Sequence, residues 1–106
     1  MTTALFLVNK GKFSGYKISG HSTSGADDDI GRIVCASVSS AVYMAANTLT
    51  EIVGIKADIT VTDADMSLEL LTDSESAQII LKGLKLHLEQ LAEQYKEYLK
   101  TNTEAV

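Results

Sequence analysis

The chain of 106 residues contains neither proline nor tryptophan. Without proline there is no Pro-rich linker, and no low-complexity segment breaks the sequence. It holds a single cysteine, Cys35, so no internal disulfide can form, as befits a reducing compartment. No run of roughly 18 apolar residues is present, so no membrane span is expected. The opening Met1-Thr2-Thr3-Ala4-Leu5 has no basic region before its short apolar stretch, and does not read as a signal peptide. Basic residues are outnumbered, with 9 Lys+Arg against 14 Asp+Glu and a formal net charge of −5. An acidic surface repels phosphate, so direct nucleic-acid binding is not expected, whereas a basic peptide is a suitable partner. These features describe a cytoplasmic protein with no membrane association.

The hydrophobic fraction of 45% is spread evenly, which is globular composition. The length suits one domain over residues 1–106, with a modest core that gains from a partner subunit.

The hydrophobic pattern predicts an α+β fold. Ala4 to Val8 is short and apolar and reads as a buried strand. Asn9-Lys10-Gly11-Lys12 is a turn, and Tyr16-Lys17-Ile18-Ser19 alternates as a second strand. Residues 20–31 are polar and Gly-containing and read as a long loop. Residues 22–31 are expected to form a mobile flap that orders over bound substrate. From Val34 the apolar residues Val38, Ala41, Val42, Ala45, Leu49, Ile52 and Val53 recur at helical spacing, and Gly54 is positioned as a C-terminal cap. Ala57 to Thr62 and Met66 to Leu71 form a second hairpin about Asp63-Ala64-Asp65. Thr72 and Glu75 have capping-box spacing. Ala77, Ile80, Leu84, Leu88, Leu91, Tyr95 and Leu99 then fall on one helical stripe, with Lys96 and Lys100 complementing the dipole at its end. The order strand-strand-helix-strand-strand-helix predicts a four-stranded sheet with both helices on one face. The bare second face is expected to be covered by a second copy.

Cys35 and His21 are the residues best suited to chemistry. Cys35 lies among Ile33, Val34, Ala36 and Val38, which also suits an inert core cysteine. A helix starting near Ile33 places Cys35 in the first turn, where unpaired amides stabilise a thiolate and receive an oxyanion. With Asp29 as the cap, Cys35 lies a turn deeper and that advantage shrinks. His21 closes the second strand where the loop begins, a usual place for a catalytic side chain. Ser39 follows Cys35 by one helical turn and shares its face. His87 sits mid-helix and has no role. Asp27-Asp28-Asp29 reads as a solvated loop rather than a metal site, and Asp63 and Asp65 as ordinary turn residues.

Taken together, Gly20-His21, a Gly-containing loop and Ile33-Val34-Cys35-Ala36-Ser37-Val38-Ser39 resemble the ribosomal-processing cysteine protease family, Prp. The family signature is a Gly-His, a Gly-rich loop, and Asp-Ile-Val-Cys-Ala-Ala-Val-Ser entering a helix. The resemblance implies a catalytic dyad of His21 and Cys35, with Gly20 and Ser39 meeting substrate. It implies removal of an N-terminal extension from large-subunit ribosomal protein L twenty-seven, with no metal or cofactor, by a homodimer. It also implies that Cys35 sits at the helix start. Arg32 stands where the family usually has Asp, and the loop is longer than usual; Asp29 is positioned to replace the missing acid.

Two other functions fit the residues. A non-catalytic module docking on a ribosomal component would keep Cys35 buried and inert. A redox sensor would need a resolving thiol from a partner, since this chain has none.

Overall fold

The computed structural model describes residues 1–21, 28–63 and 65–106. Strands β1 (Thr2–Asn9) and β2 (Lys12–Ser19) form the first hairpin. Lys10 and Gly11 both adopt positive φ, 53° and 80°, so the connection is a tight turn whose twist matches the strands. Next to it the register slips, with Val8 opposite Phe13 and Leu7 opposite Gly15, which leaves Ser14 as the extra residue of a bulge. The Gln78 side chain grips this irregular stretch from outside the sheet. It accepts from the Phe13 amide and donates to the Phe13 carbonyl oxygen, each at 2.8 Å.

Helix α1 (Asp29–Asn47) continues into a π-helical segment over Thr48–Val53. Gly54 ends it in the left-handed conformation, donating to the Leu49 carbonyl as the sequence predicts. Strands β3 (Ala57–Val61) and β4 (Asp65–Leu70) form the second hairpin. Helix α2 (Glu75–Gln94) is capped by Ser74, which accepts from the Ala77 amide. Thr72, the expected cap, instead accepts from the Lys56 amide and pins the start of the second hairpin.

The predicted sheet needs one correction. Leu99 does not extend the last helix: α2 stops at Gln94, and Leu99–Ala105 forms a fifth strand, β5. Its order is β3-β4-β2-β1-β5, and β5 runs parallel to β1. Leu99 still reaches the core, but from a strand. No basic side chain lies in the last turn of α2, so Lys96 and Lys100 do not serve its dipole as expected.

One face of the sheet carries Ala4, Phe6, Tyr16, Ile18, Met66 and Leu68, all buried beneath the helices. Val34, Val38, Val42, Ala45 and Leu49 supply the α1 side of that core, and Ala77, Leu81, Leu84 and Leu88 the α2 side. Asp29–Val53 is long and apolar enough to cross a membrane by length and composition, but here its buried stripe rests on protein. The opposite face of the sheet aligns Lys17 with Leu5, Asn102 and Ser67, and Glu69 with Gly15. With Lys17, Glu69, Lys100 and Asn102 exposed, this face is mostly polar and interrupted only by half-buried Leu5 and Leu7. It does not provide the apolar surface on which the expected second copy was to rest.

Candidate active site

Strand pairing brings the site together before any side chain is considered. Ser19 at the end of β2 pairs with Asp65 at the start of β4. The β3–β4 turn therefore lies beside Gly20 and His21. Gly20 has φ +82°, and a Cβ there would meet the Met1 carbonyl oxygen. Only glycine combines that conformation with so close an approach to the start of β1. His21 follows at once, exposed to solvent.

Helix α1 forms the other wall. Cys35, Ser39 and Tyr43 are spaced by single turns and face the same way. A cavity of about 200 Å³ is lined by His21 and Gly20 from the end of β2, and by Cys35, Ser39 and Tyr43 from α1. Gly20, His21, Cys35 and Ser39, the four candidates from the sequence, thus share one cavity. The second hairpin adds Val61, Thr62, Asp63 and Asp65 to its rim. Thr62 fixes this turn: its amide donates to the Asp65 carbonyl at 2.8 Å and its hydroxyl accepts from the Asp65 amide at 3.1 Å. Tyr43 escaped the sequence reading, and Asp63 and Asp65, read there only as turn residues, also line the cavity. The β2–β4 register that delivers the aspartates is a long-range fact, but Tyr43 was findable from the spacing of Cys35 and Ser39.

The start of α1 differs from the expectation drawn from the resemblance. Asp28 is the N-cap, accepting from the Gly31 amide at 2.9 Å, and Asp29 is the first helical residue. Asp29 also pairs with Arg32 at 3.1 Å, with both side chains exposed on the helix surface. Cys35 therefore lies in the second turn, where backbone amides are committed to the carbonyls four residues earlier. The unpaired amides of the helix start are therefore not at the thiol and do not form the oxyanion site expected there.

The cap is itself held. Desolvation keeps the Tyr98 phenol above its ordinary 10.0, aided by the charges of Asp28 and Glu97 and by a hydrogen bond to Asp28. The residue that starts α1 is thereby linked to the connection between α2 and β5. Residues 28–31 of the expected flap thus belong to a cap and a first helical turn. Residues 22–27, and Asp27 with them, lie outside the described residues. Among the described residues, no cluster of His, Cys, Asp and Glu is arranged to hold a metal ion.

Cys35 is only partly buried and opens on the cavity, which does not suit the inert core thiol of the rival reading. The sequence profile of the family described as cysteine protease Prp matches residues 1–100. The chain belongs to that family. It is a cysteine protease. Among solved structures, the ribosomal processing protease Prp of Staphylococcus aureus, in complex with a covalently linked product peptide, superposes with a TM-score of 0.88 at 25% identity. That match covers 98% of this chain and 100% of the other. The same S. aureus protease with a substrate peptide gives 0.88 at 24% identity, over 98% and 100%. SMU.848 of Streptococcus mutans gives 0.85 at 24%, over 100% and 96%. No curated protein matches the chain. The Prp fold accounts for the two-helix layer on a five-stranded mixed sheet described above.

Proposed function

We propose that this Prp-family protease removes the N-terminal extension of large-subunit ribosomal protein L twenty-seven through a dyad of His21 and Cys35. The observation that carries the dyad is the shared cavity: the chain's one cysteine and the histidine at the end of β2 line it from separate elements. The likeness to the S. aureus ribosomal processing protease, which holds a covalently linked product peptide, supports both a nucleophilic thiol and a ribosomal substrate.

In this mechanism His21 takes the proton of the Cys35 thiol, and the thiolate attacks the scissile carbonyl. The tetrahedral oxyanion collapses to a thioester as His21 gives its proton to the leaving amine. Water, deprotonated by His21, then cleaves the thioester and restores the thiol. With the helix-start amides too far along α1, the Ser39 hydroxyl, one turn from Cys35, is the donor offered to the oxyanion. No metal or cofactor takes part. The excess of acidic residues suits a basic ribosomal tail, and the proposed compartment is the cytoplasm.

The working form is a homodimer. Its contact lies on the helical layer and not on the polar sheet face. An apolar groove of about 650 Å³ runs between α1 and α2, lined by Ala41, Met44, Ile80 and Leu84, with Met44 69% exposed.

The test is a peptide spanning the extension and the first mature residues, incubated with the wild type and with Cys35→Ser. Mass spectrometry should find one cut with the wild type and none with the variant, whose hydroxyl is a far weaker nucleophile. A correctly folded Cys35→Ser protein that trims the peptide at the wild-type rate refutes the dyad.

A further inference from the structure

The second hairpin has an open side. Strand β3 stands first in the sheet order, so it pairs with β4 on one side only. The phase of that pairing can be read from its two ends. Leu71 donates to the Lys56 carbonyl, and Thr62 donates to the Asp65 carbonyl, both at 2.8 Å. In an antiparallel ladder the residues bonded to the partner strand alternate with residues whose N–H and C=O point away. Lys56 and Thr62 share one phase, which Asp58 and Thr60 continue. The backbone groups of Ala57, Ile59 and Val61 therefore point outward, away from β4. Among the described residues, no strand takes them up.

The side chains of these residues are equally open. Ile59 pairs with Leu68 and Val61 with Met66, so both stand on the helix-side face of the sheet. Leu68 and Met66 are 1% and 6% exposed, whereas Ile59 and Val61 are 42% and 53% exposed. The helical layer thus stops short of β3. One set of residues offers both unpaired backbone groups and bare apolar side chains. Proteins ordinarily blunt such an edge with proline, a bulge or an inward charge. Here the chain has no proline, and the register with β4 is unbroken. The opposite edge of the sheet, β5, carries the polar run Lys100-Thr101-Asn102-Thr103-Glu104.

The edge also leads somewhere. Val61, its last residue, lines the cavity that holds His21 and Cys35, as do Thr62 and Asp63 just beyond it. A chain laid along β3 therefore ends at the cavity that holds the thiol.

We propose that the outer edge of β3 is the substrate-docking strand of this protease. An extended segment of the substrate adds to the sheet beside Ala57–Val61. It exchanges backbone hydrogen bonds with Ile59 and Val61 and lays alternate side chains over theirs, which delivers the scissile bond to Cys35. Recognition then rests largely on an extended, unpaired backbone, the form taken by a flexible N-terminal extension. This deepens the protease reading above and depends on it.

The test uses the extension peptide, N-methylated at one residue at a time. Methylation removes one amide donor and leaves the side chain. Cleavage efficiency should fall about tenfold or more at every second residue on one side of the cut, and stay near the parent value between them. Ile59→Pro removes an outward N–H without touching the ladder to β4, and should raise KM with the fold retained. Losses without alternation, or no losses, overturn the proposal. Hydrogen exchange on Cys35→Ser gives a readout independent of turnover. The amides of Ile59 and Val61 should slow at saturating peptide, and unchanged exchange there overturns the proposal even if the wild type cleaves. Failure of the wild type to cut the unmodified peptide would count against the protease substrate alone.

Discussion

The Tyr16 hydroxyl donates to the Val42 carbonyl oxygen across 3.0 Å of buried space. This bond ties β2, which ends beside His21, to α1, which carries Cys35. Tyr16 also packs against Phe6, with ring centroids 6.2 Å apart, so its ring is fixed as well as its hydroxyl. Tyr16→Phe keeps the ring and removes the bond. It should lower stability by about 0.5–1.5 kcal/mol, read as a shift of the urea midpoint. An unchanged midpoint would show that the bond adds nothing.

The same phenol makes stability depend on alkaline pH. Burial, with a smaller contribution from Tyr43, raises its pKa above the ordinary 10.0. The folded state therefore holds the proton more tightly than the unfolded state. That stability is fully present below pH 10.0 and is lost as pH rises through the folded pKa. Urea midpoints measured on either side of pH 10.0 should fall more steeply for the wild type than for Tyr16→Phe. Parallel slopes would contradict the assignment.

Gly20→Ala tests the turn that presents His21. A side chain there meets both an unfavourable φ and the Met1 carbonyl. The cost should be about 1–3 kcal/mol. Because the strain falls on the residue before His21, peptide cleavage should drop more than the unfolded fraction explains. Equal losses of folding and activity would reduce Gly20 to a purely structural role.

Leu99→Ala probes the strand that was read as helix. The side chain is 2% exposed and sits where β5 meets β1. Truncation should cost about 2–5 kcal/mol, the usual penalty for a core cavity. A loss under about 1 kcal/mol, typical of a surface helix position, would argue against β5.

For the dimer, Met44→Asp should yield an 11.4 kDa species by light scattering, whereas Lys17→Glu on the open sheet face should not alter the mass. The reverse pattern would move the contact to the sheet.

Much of the fold was legible because its signals are local. The second hairpin declares itself by two short apolar runs around Asp63 and Asp65, and the observed strands differ from the predicted ones by single residues. Gly54 announced the end of the first helical run. The candidate site was legible through residue types, since His21 and Cys35 do line one cavity. What escaped depends on partners distant in sequence. Lys100 to Glu104 has no apolar alternation, and only its pairing with β1 makes it a strand. Leu99 fitted the helical stripe because a buried leucine has the same signature in either element. The start of α1 was hidden for another reason. Its first turn buries only Gly31, so apolar periodicity begins later than the helix does. Thr72 had the capping-box spacing, but the Lys56 amide claims its hydroxyl, and the cap falls to Ser74 two residues on.

The parallel ladder between β1 and β5 also orders events in time. Thr2 pairs with Leu99, so the first strand to leave the ribosome must wait for the last before its outer edge is satisfied. Closing so long a loop carries an entropic cost that neither hairpin bears. Both hairpins and both helices can assemble earlier, but Gly20 lies against Met1, at the end of β1 where that ladder begins. A nascent chain halted anywhere before β5 would hold its cysteine and histidine on an unfinished sheet. Chains truncated ahead of Leu99 should therefore lose peptide cleavage together with the parallel ladder, although both site residues are still present.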